Sequence, residues 1–420
     1  MDLTDYDAML KEYYTPEMVR ELAYSDNVLL GLLPKKREGG KTYIQPINNG
    51  KPGGASATFS TAQINQYNSK YNAFGITRVK QYQLATVETE TLLASEGNAG
   101  AFAPAFEEFD KAHRSLADKT NRRLYRSTTG TIGQFLDGAA INGATITLAD
   151  KADAWNFEED DVIAFSATDG SALLDSGATV TVVSVDHETG IVTTSSADIG
   201  TEIASLTDTS FIYQAGDRLA CAAGLESWLP VTDRATKLAA AFYGVTRSTA
   251  PERLGGIYMD GADFGDLNEI VIKAVSKAGQ RGGKTDLVLM NTERFSDLQI
   301  LWLNKHVIHE NIEVNVREKV GDRMMTFSTL YQGMKANVGG RTVQVLSDRA
   351  CPTNRLYALQ KDTWKIWHTG DLMTFPLEKF AKGILMPAAT ADQFEGRVAT
   401  YHNLGCSAPG FNVVVELPSA

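Results

Sequence analysis

A single amphipathic segment, residues 102–128, constrains the fold more than any other part of the chain. Its larger or apolar side chains recur every three or four residues, the spacing that lines one face of an α-helix. They are Phe102, Phe106, Phe109, His113, Leu116, Ala117, Thr120 and Leu124. Acidic residues crowd its first half and basic residues its second, which complements the helix dipole. The segment predicts a spine helix roughly 40 Å long, at about 1.5 Å per residue. Taken alone, the pattern is also typical of a long core helix in an enzyme.

The length of 420 residues predicts two or three domains with a sizeable core. No apolar run approaches the ~18 residues that a membrane-spanning helix needs, and the acidic N-terminus has no apolar signal core. Cys221, Cys351 and Cys406 are far apart and lack a metal-ligand spacing. We interpret them as buried thiols in a reducing compartment, and we expect no membrane partner.

The net charge of -11 is unevenly distributed. Residues 141–217 contain fourteen Asp and Glu against the single basic residue Lys151, a local charge of -13, so the remainder carries +2. This asymmetry indicates two modules in different surroundings. Short alternating runs between Asn-Gly and Asp-Gly turns predict a small antiparallel barrel or sandwich. The carboxylates raise the possibility of calcium, but none has the spacing of a calcium loop, so solvated acidic surface is the favoured interpretation.

Residues 36–87 predict a long two-stranded ribbon. Strand-like runs at 42–47 and 74–87 flank a turn cluster at 48–54 and a stretch rich in Asn, Gln, Ser and Tyr. About 50 residues without a clear buried face fit poorly inside a compact domain, so we expect the ribbon to complete its packing on a neighbouring chain. A disordered loop is the alternative, which the aromatic residues oppose. The hypothesis assigns inter-subunit contact to Lys51, Phe59, Tyr67, Tyr71 and Phe74.

The enzyme-like motifs are weak. The string AGQRGGKT at 278–285 matches a relaxed phosphate-loop pattern, but a predicted helix precedes it and a predicted strand follows it, the reverse of the required order. His306, His309 and Glu310 match no zincin order, and no nucleophile elbow occurs. The Arg122-Arg123-Arg126 cluster on the spine is interpreted as ion pairs or loose phosphate contacts. The sequence therefore predicts no catalytic, cofactor-binding or metal-ligating residue.

The order of these parts resembles the major capsid proteins of tailed double-stranded-DNA bacteriophages, which have the Hong Kong phage capsid fold. Four strings carry the resemblance, and together with the order of parts they extend it over nearly the whole chain. They are GLESWLPVTDR at 224–234, FYGVTRSTAPERLGG at 242–256, LVLMNTERFSDL at 287–298 and LGCSAPGFNVVV at 404–415.

The resemblance implies an α+β fold with an N-terminal arm, an extended β-loop, a spine helix, peripheral and axial domains, and an inserted small all-β barrel or sandwich. The implied divisions are a 1–35 arm, a 36–87 extended loop (E-loop), 88–140 spine helix and peripheral domain, a 141–217 inserted acidic β-domain, 218–262 peripheral domain and connecting loop, a 263–390 axial α/β domain, and 391–420 return strands to the peripheral domain.

The resemblance also implies a structural subunit, not an enzyme, that self-assembles as hexamers and pentamers into an icosahedral head around double-stranded DNA. Expected partners are further copies of the chain, a scaffolding protein, a portal, a decoration protein, and packaged DNA bound without sequence specificity. The expected location is the virion capsid, assembled in the host cytoplasm, with no cofactor. No cross-link motif matches, and the arm at the start of the sequence points to a separate scaffolding protein. The shell of a cellular protein nanocompartment and a P-loop NTPase are the alternatives.

Overall fold

A computed structural model describes residues 27–89, 103–303, 312–320, 323–331, 333–338, 341–370, 372–373, 385–388 and 392–418. The α-helices in these ranges are α1 Val28–Leu32, α2 Phe59–Ile64, α3 Ala103–Tyr125, α4 Ile199–Glu202, α5 Leu225–Trp228, α6 Arg234–Ala239, α7 Pro251–Leu254, α8 Leu267–Gln280 and α9 Thr292–Leu303.

The strands occur in four groups along the described chain. They are β1 Lys35–Arg37, β2 Thr42–Gly50, β3 Lys70–Thr77 and β4 Val79–Glu88; β5 Thr131–Gln134, β6 Thr145–Thr147, β7 Val162–Ser166, β8 Thr179–Asp186, β9 Ile191–Thr194 and β10 Phe211–Gln214; β11 Ile257–Asp260, β12 Leu287–Met290, β13 Ile312–Val320, β14 Arg323–Tyr331, β15 Gly333–Val338, β16 Arg341–Ser347, β17 Arg355–Leu359 and β18 Trp364–His368; and β19 Leu385–Pro387, β20 Gln393–Cys406 and β21 Val413–Glu416.

The predicted spine is helix α3, which ends at Tyr125. Phe102 and the side chains of Phe106 and Phe109 lie outside the described part of the chain. The later members of the predicted face are all buried: His113, Leu116, Ala117, Thr120 and Leu124. This face packs on β4 and β20, where the Thr120 hydroxyl donates a hydrogen bond to Gln81 Oε1 at 3.0 Å. The helical periodicity of the sequence therefore identified the buried face correctly.

A five-stranded sheet lies against the spine in the order β1-β18-β20-β19, and β4 pairs with Gln393 to His402 of β20. The sequence predicted one extended run over 74–87, which the structure corrects. The run is divided at Arg78: β3 pairs with β2, whereas β4 joins β20. The division arises because the chain leaves the ribbon there and enters the central sheet, where the Arg78 guanidinium donates to Thr369 Oγ1 at 2.6 Å.

A second sheet has the order β11-β21-β17-β12-β16-β15 and mixes parallel and antiparallel pairs. Successive side chains of a strand point to opposite faces. In β17, Leu356 and Ala358 pack with the apolar faces of α8 and α9, whereas Tyr357 and Leu359 pack toward the core around the spine. Because both faces are covered, β17 is buried along its whole length.

A buried carboxylate joins the spine, the second sheet and helix α1. Asp348 follows β16 and accepts hydrogen bonds from the Tyr125 hydroxyl at 2.8 Å and from Asn121 Nδ2 at 3.1 Å. It also accepts from the backbone N–H of Leu29 at 3.3 Å. Burial, reinforced by the nearby Asp348 carboxylate, raises the pKa of Tyr125 well above its usual value. These bonds fix the end of the N-terminal arm against two core elements.

The acidic segment and the preceding strand β5 form a separate antiparallel sheet, β5-β10-β7-β8-β9-β6. The N–H of Leu136 donates to the carbonyl of Thr147 and that of Ala149 to the carbonyl of Gln134, each at 2.9 Å. The first strand thus meets the last, and the sheet curls around a separate apolar core that includes Phe135, Ile146, Phe157, Phe165, Val182, Val192 and Ile212. No helix among the described residues is both long and apolar enough to cross a membrane.

Candidate assembly interface

The predicted ribbon exists and consists of β2 and β3, paired antiparallel from Thr42–Thr77 to Gly50–Lys70. One end, the root, is built into the core of its own subunit. The Phe74 ring is 0% exposed and lies 5.1 Å from the Trp228 ring and 6.1 Å from the Phe242 ring. Tyr43 stacks on Trp367 with ring centroids 5.3 Å apart.

Polar contacts around Thr369 also hold the root. The Thr369 hydroxyl donates to the carbonyl of Glu38 at 2.8 Å, and the Tyr43 hydroxyl lies 2.8 Å from it. Arg78 also donates to Thr369 Oγ1. The Tyr43 hydroxyl lies 3.0 Å from the carbonyl oxygen of Glu38. Both strands of the ribbon are therefore anchored where they leave the central sheet, which gives the ribbon a defined direction.

Two glycines, Gly53 and Gly54, lie at the outer end of the ribbon. Gly53 and Tyr67 exchange backbone hydrogen bonds of 3.2 and 3.3 Å, and a Cβ at Gly53 would overlap the Tyr67 ring. Gly54 has φ +107°, a backbone conformation that favours glycine. Beyond them, six-residue helix α2 has no buried residue. Because so short a helix is marginal alone in water, its exposed apolar side chains indicate a surface that gains stability when covered.

The predicted contact residues divide between the two ends. Lys51, Tyr67 and Tyr71 are exposed, and Phe59 is 83% exposed. Phe74 differs because Trp228 and Phe242 enclose it, so it belongs to the subunit core and is removed from the contact set. Ile64, 82% exposed, and Ile44, 72% exposed, are further exposed apolar side chains that the sequence hypothesis did not include. Strict alternation with buried Tyr43 could have placed Ile44 on the open face, whereas Ile64 lies in helix α2, for which the sequence showed no helical period.

The segment at 39–87, which contains the ribbon and most of β4, has an unusual charge. Residues 39–87 contain no Asp and no Glu, but they contain five basic residues: Lys41, Lys51, Lys70, Arg78 and Lys80. These residues carry +5, so the rest of the chain carries -16, because the net charge of the whole chain is -11. The segment at 39–87 is therefore electrostatically complementary to the rest of the molecule.

A second interface lies inside the subunit, between the spine and the acidic segment. Basic side chains of α3 and of the turn after it pair with carboxylates of the acidic segment: Lys119 with Asp161 at 3.5 Å, Arg122 with Glu158 at 3.8 Å, Arg123 with Asp217, and Arg126 with Asp153. The predicted ion pairs of the arginine cluster are confirmed. Part of the acidic charge faces the spine, which revises the expectation of a wholly solvated acidic surface. Burial raises the pKa of Asp153 to about 6, although Arg126 opposes the shift.

The glycine-rich loop has the predicted order. It follows the C-terminus of α8 and precedes β12. At a helix C-terminus the free backbone groups are carbonyls with partial negative charge, so the loop is unsuited to phosphate. The backbone N–H of Lys284 donates to Gln360 Oε1 at 2.7 Å, and a Cβ at Gly283 would lie 2.7 Å from the carbonyl oxygen of Phe411. The loop is a packed helix-to-strand connection.

The remaining candidate residues are the trio around His306 and the three cysteines. His306, His309 and Glu310 fall outside the described residues. Within those ranges, no group of three or more His, Cys, Asp or Glu is placed to hold a metal ion. The free thiols of Cys221, Cys351 and Cys406 are buried, and burial raises the pKa of each.

Comparison with known proteins supports the fold. No protein-family model matches, and no curated protein matches by sequence. The structure is similar to a chain of the cyanophage A-1(L) capsid asymmetric unit, with a TM-score of 0.52, 14% identity, and coverage of 93% of this chain and 92% of that one. This likeness confirms the predicted α+β capsid fold.

Two weaker similarities each have a TM-score of 0.44. Mycobacterium phage Bobi gives 9% identity, with coverage of 93% of this chain and 90% of that one. The holo-SrpI encapsulin of Synechococcus elongatus PCC 7942 gives 8% identity, with coverage of 92% and 86%.

Proposed function

We propose that this chain is a structural subunit that assembles with copies of itself, as hexamers and pentamers, into a closed shell around double-stranded DNA. The observation that carries the proposal is the outer end of the ribbon: a capsid-like fold holds it away from the subunit core with Phe59 and Ile64 almost fully exposed. Apolar side chains in such a position are stabilised by burial against another molecule. A second copy supplies that surface in a shell.

Each expected domain would have its own position in the proposed shell. The arm at 1–35, the E-loop at 36–87 and the spine with its peripheral domain at 88–140 and 218–262 would form the shell wall. The axial domain at 263–390 would surround the symmetry axes, and residues 391–420 would return to the peripheral domain. The inserted β-domain at 141–217 would project outward. Support for a separate insertion comes from its own apolar core and from the ion pairs that attach it to the spine.

The proposed role is structural and involves no catalysis. The loop at 278–285 lies at the wrong end of a helix for phosphate, and the Lys284 backbone is already bonded to Gln360. Lys284→Ala should therefore leave particle formation intact, and the parent should not hydrolyse ATP. ATPase activity that Lys284→Ala abolishes would replace this proposal with a P-loop enzyme.

Further partners follow from a DNA-filled shell in the virion capsid, assembled in the host cytoplasm. A separate scaffolding protein would direct closure, a portal would occupy one vertex, and a decoration protein would bind outside. DNA would be held without sequence specificity, mainly through its phosphates. These assignments rest on the capsid fold.

Electron microscopy and sedimentation of the purified protein, alone and with a scaffolding protein, test the proposal. Closed or partial shells with repeated capsomers are expected, and monomers under every condition would contradict it. Particles isolated from infected cells should contain double-stranded DNA. Particles filled with a cargo protein would instead identify a nanocompartment shell.

A further inference from the structure

A cavity of about 420 Å³ lies where the outer ribbon meets the segment before α7. The ribbon contributes Asn49, Lys51, Tyr67 and Lys70 to its wall, and the facing segment contributes Thr249 and Arg253. We call this cavity the ribbon notch. Gly50 pairs with Lys70 across the ribbon, and a Cβ at Gly50 would lie only 3.0 Å from Lys70 Cβ. Glycine at this position thus lets the Lys70 side chain stand against the neighbouring strand.

The charges of the notch are unbalanced. Lys51, Lys70 and Arg253 contribute three cations, and no carboxylate is among the described residues that line it. The neighbouring Glu252 is already paired with Arg281. The ribbon itself contains no Asp or Glu between residues 39 and 87, so it cannot supply an anion from its own strands. Converging cations repel one another, and an anion placed among them relieves that repulsion.

A buried amide adds a polar group to the wall. Asn49 is 8% exposed, and its Oδ1 has no hydrogen-bond partner within the described structure. Its backbone carbonyl accepts a hydrogen bond from Arg253 Nη1 at 2.5 Å, which holds the two walls together. A half-turn of the side-chain amide would present Nδ2 as a donor in place of Oδ1. An oxyanion in the notch would then receive an amide hydrogen bond in addition to the three cations.

We propose that the ribbon notch seats a carboxylate side chain from a second copy of this chain. This inference rests on the proposed function and names the chemistry of one contact within it. Three features favour protein carboxylate. Outside residues 39–87 the chain carries -16, so a second copy has an excess of carboxylates that could occupy the notch. The notch also borders the exposed Tyr67 ring, and Phe59 and Ile64 of the same ribbon are exposed apolar side chains, which suits a protein partner. The chain's net charge of -11 opposes DNA as the occupant.

The test compares the critical concentration for particle formation at low and high ionic strength. The double variant Lys51→Ala/Lys70→Ala should raise it about five- to tenfold at low ionic strength, since each exposed ion pair changes an equilibrium constant by a few-fold. The variant should also lose most of the salt dependence that the parent shows. Lys51→Arg/Lys70→Arg should behave like the parent because both cations remain.

Lys41→Ala is the matched control, because it removes a cation from the same ribbon outside the notch. It should leave the critical concentration and its salt dependence unchanged. Unfolding of the free subunit should be the same for all these proteins, since Lys51 and Lys70 are exposed.

The possible outcomes separate this inference from the proposed function. Equal critical concentrations and salt slopes for the parent and the double variant would overturn the carboxylate seat and leave shell assembly standing. A defect that appears only when double-stranded DNA is present would overturn it in favour of phosphate. A parent that forms no particles would overturn the proposed function, and the seat with it.

Discussion

The two ends of the ribbon formed by β2 and β3 belong to the same pair of strands but have opposite environments. At the root, Phe74 and Ile76 are fully buried against residues of the same subunit. At the outer end, Phe59 and Ile64 are almost fully exposed, and α2 has no buried residue. The root satisfies its apolar surface during folding, whereas the outer end does not.

This difference separates folding from assembly within one element. Burial of an aromatic side chain stabilises a folded chain by several kcal/mol, whereas an exposed one contributes little until a partner covers it. A mutation at the root should therefore change the stability of the free subunit. A mutation at the outer end should change assembly and leave the subunit folded.

The largest expected effect on the free subunit is that of Phe74→Ala. Removal of this ring leaves a cavity beside Trp228 and Phe242, which should lower the free energy of unfolding by about 3–5 kcal/mol. Urea denaturation measures the change. Tyr71→Ala is the control in the same strand, and it should cost less than about 0.5 kcal/mol because Tyr71 is exposed. Equal costs at the two positions would mean that the root is not part of the core.

The next largest expected effect is a loss of folding stability at acid pH. Burial lowers the pKa of His402 to about 3 and that of His113 to about 4, from an ordinary value of 6.5. The unfolded chain then binds protons that the folded chain does not, so the stability from these residues is present above pH 6.5 and is lost as the pH falls toward 4. At pH 5 each histidine should cost about 2 kcal/mol.

Asp153 opposes part of this loss. Its folded pKa of about 6 lies above the ordinary 3.8, so its contribution is greatest below pH 3.8 and is lost as the pH rises through 6. It should offset about 1 kcal/mol at pH 5. Urea denaturation at several pH values, on the parent and on His402→Asn, measures these terms, and the variant should show a shallower loss. The segment at 39–87 contains no Asp, Glu or His, so its own side-chain charges should not change between pH 5 and 7. A pH profile unchanged in His402→Asn would contradict the assignment.

A smaller effect is expected for Gly53→Ala at the outer end. The added Cβ would displace the Tyr67 ring, yet the outer end makes few contacts with the core, so the free subunit should lose less than about 1 kcal/mol. Particle yield should nevertheless fall, because the turn that presents α2 would be distorted. Gly265→Ala is the control, since a Cβ there meets nothing within 4 Å, and particles should form normally. Normal yields from both variants would show that the geometry of the turn is irrelevant to assembly.

Burial and element order could be predicted from the sequence where a regular hydrophobic period extended over many residues. The three- and four-residue spacing of α3 identified Leu116, Thr120 and Leu124 as buried. The order of helix, glycine-rich loop and strand around residues 278–285 was also predicted correctly, because capping and hydrophobic patterning are local signals.

The sequence was insufficient where burial depends on distant partners. Phe59 and Phe74 both occur in an aromatic and polar stretch, and only the packing of Trp228 and Phe242 distinguishes them. The ion pairs between α3 and the acidic segment likewise join residues far apart in sequence, such as Arg123 and Asp217. The ribbon notch combines Arg253 with Lys51 and Lys70, a juxtaposition that no local pattern could reveal.

The double variant Phe59→Ser/Ile64→Ser tests whether the outer end of the ribbon serves assembly and not folding. The free variant should have the circular dichroism of the parent and an unfolding free energy, from urea denaturation, within about 0.5 kcal/mol of it. Sedimentation and electron microscopy should find few or no closed particles. Val183→Ser, which removes an exposed apolar side chain from the acidic segment, should assemble normally. Closed particles at parental yield from the double variant, or unfolding of its free subunit, would contradict the account.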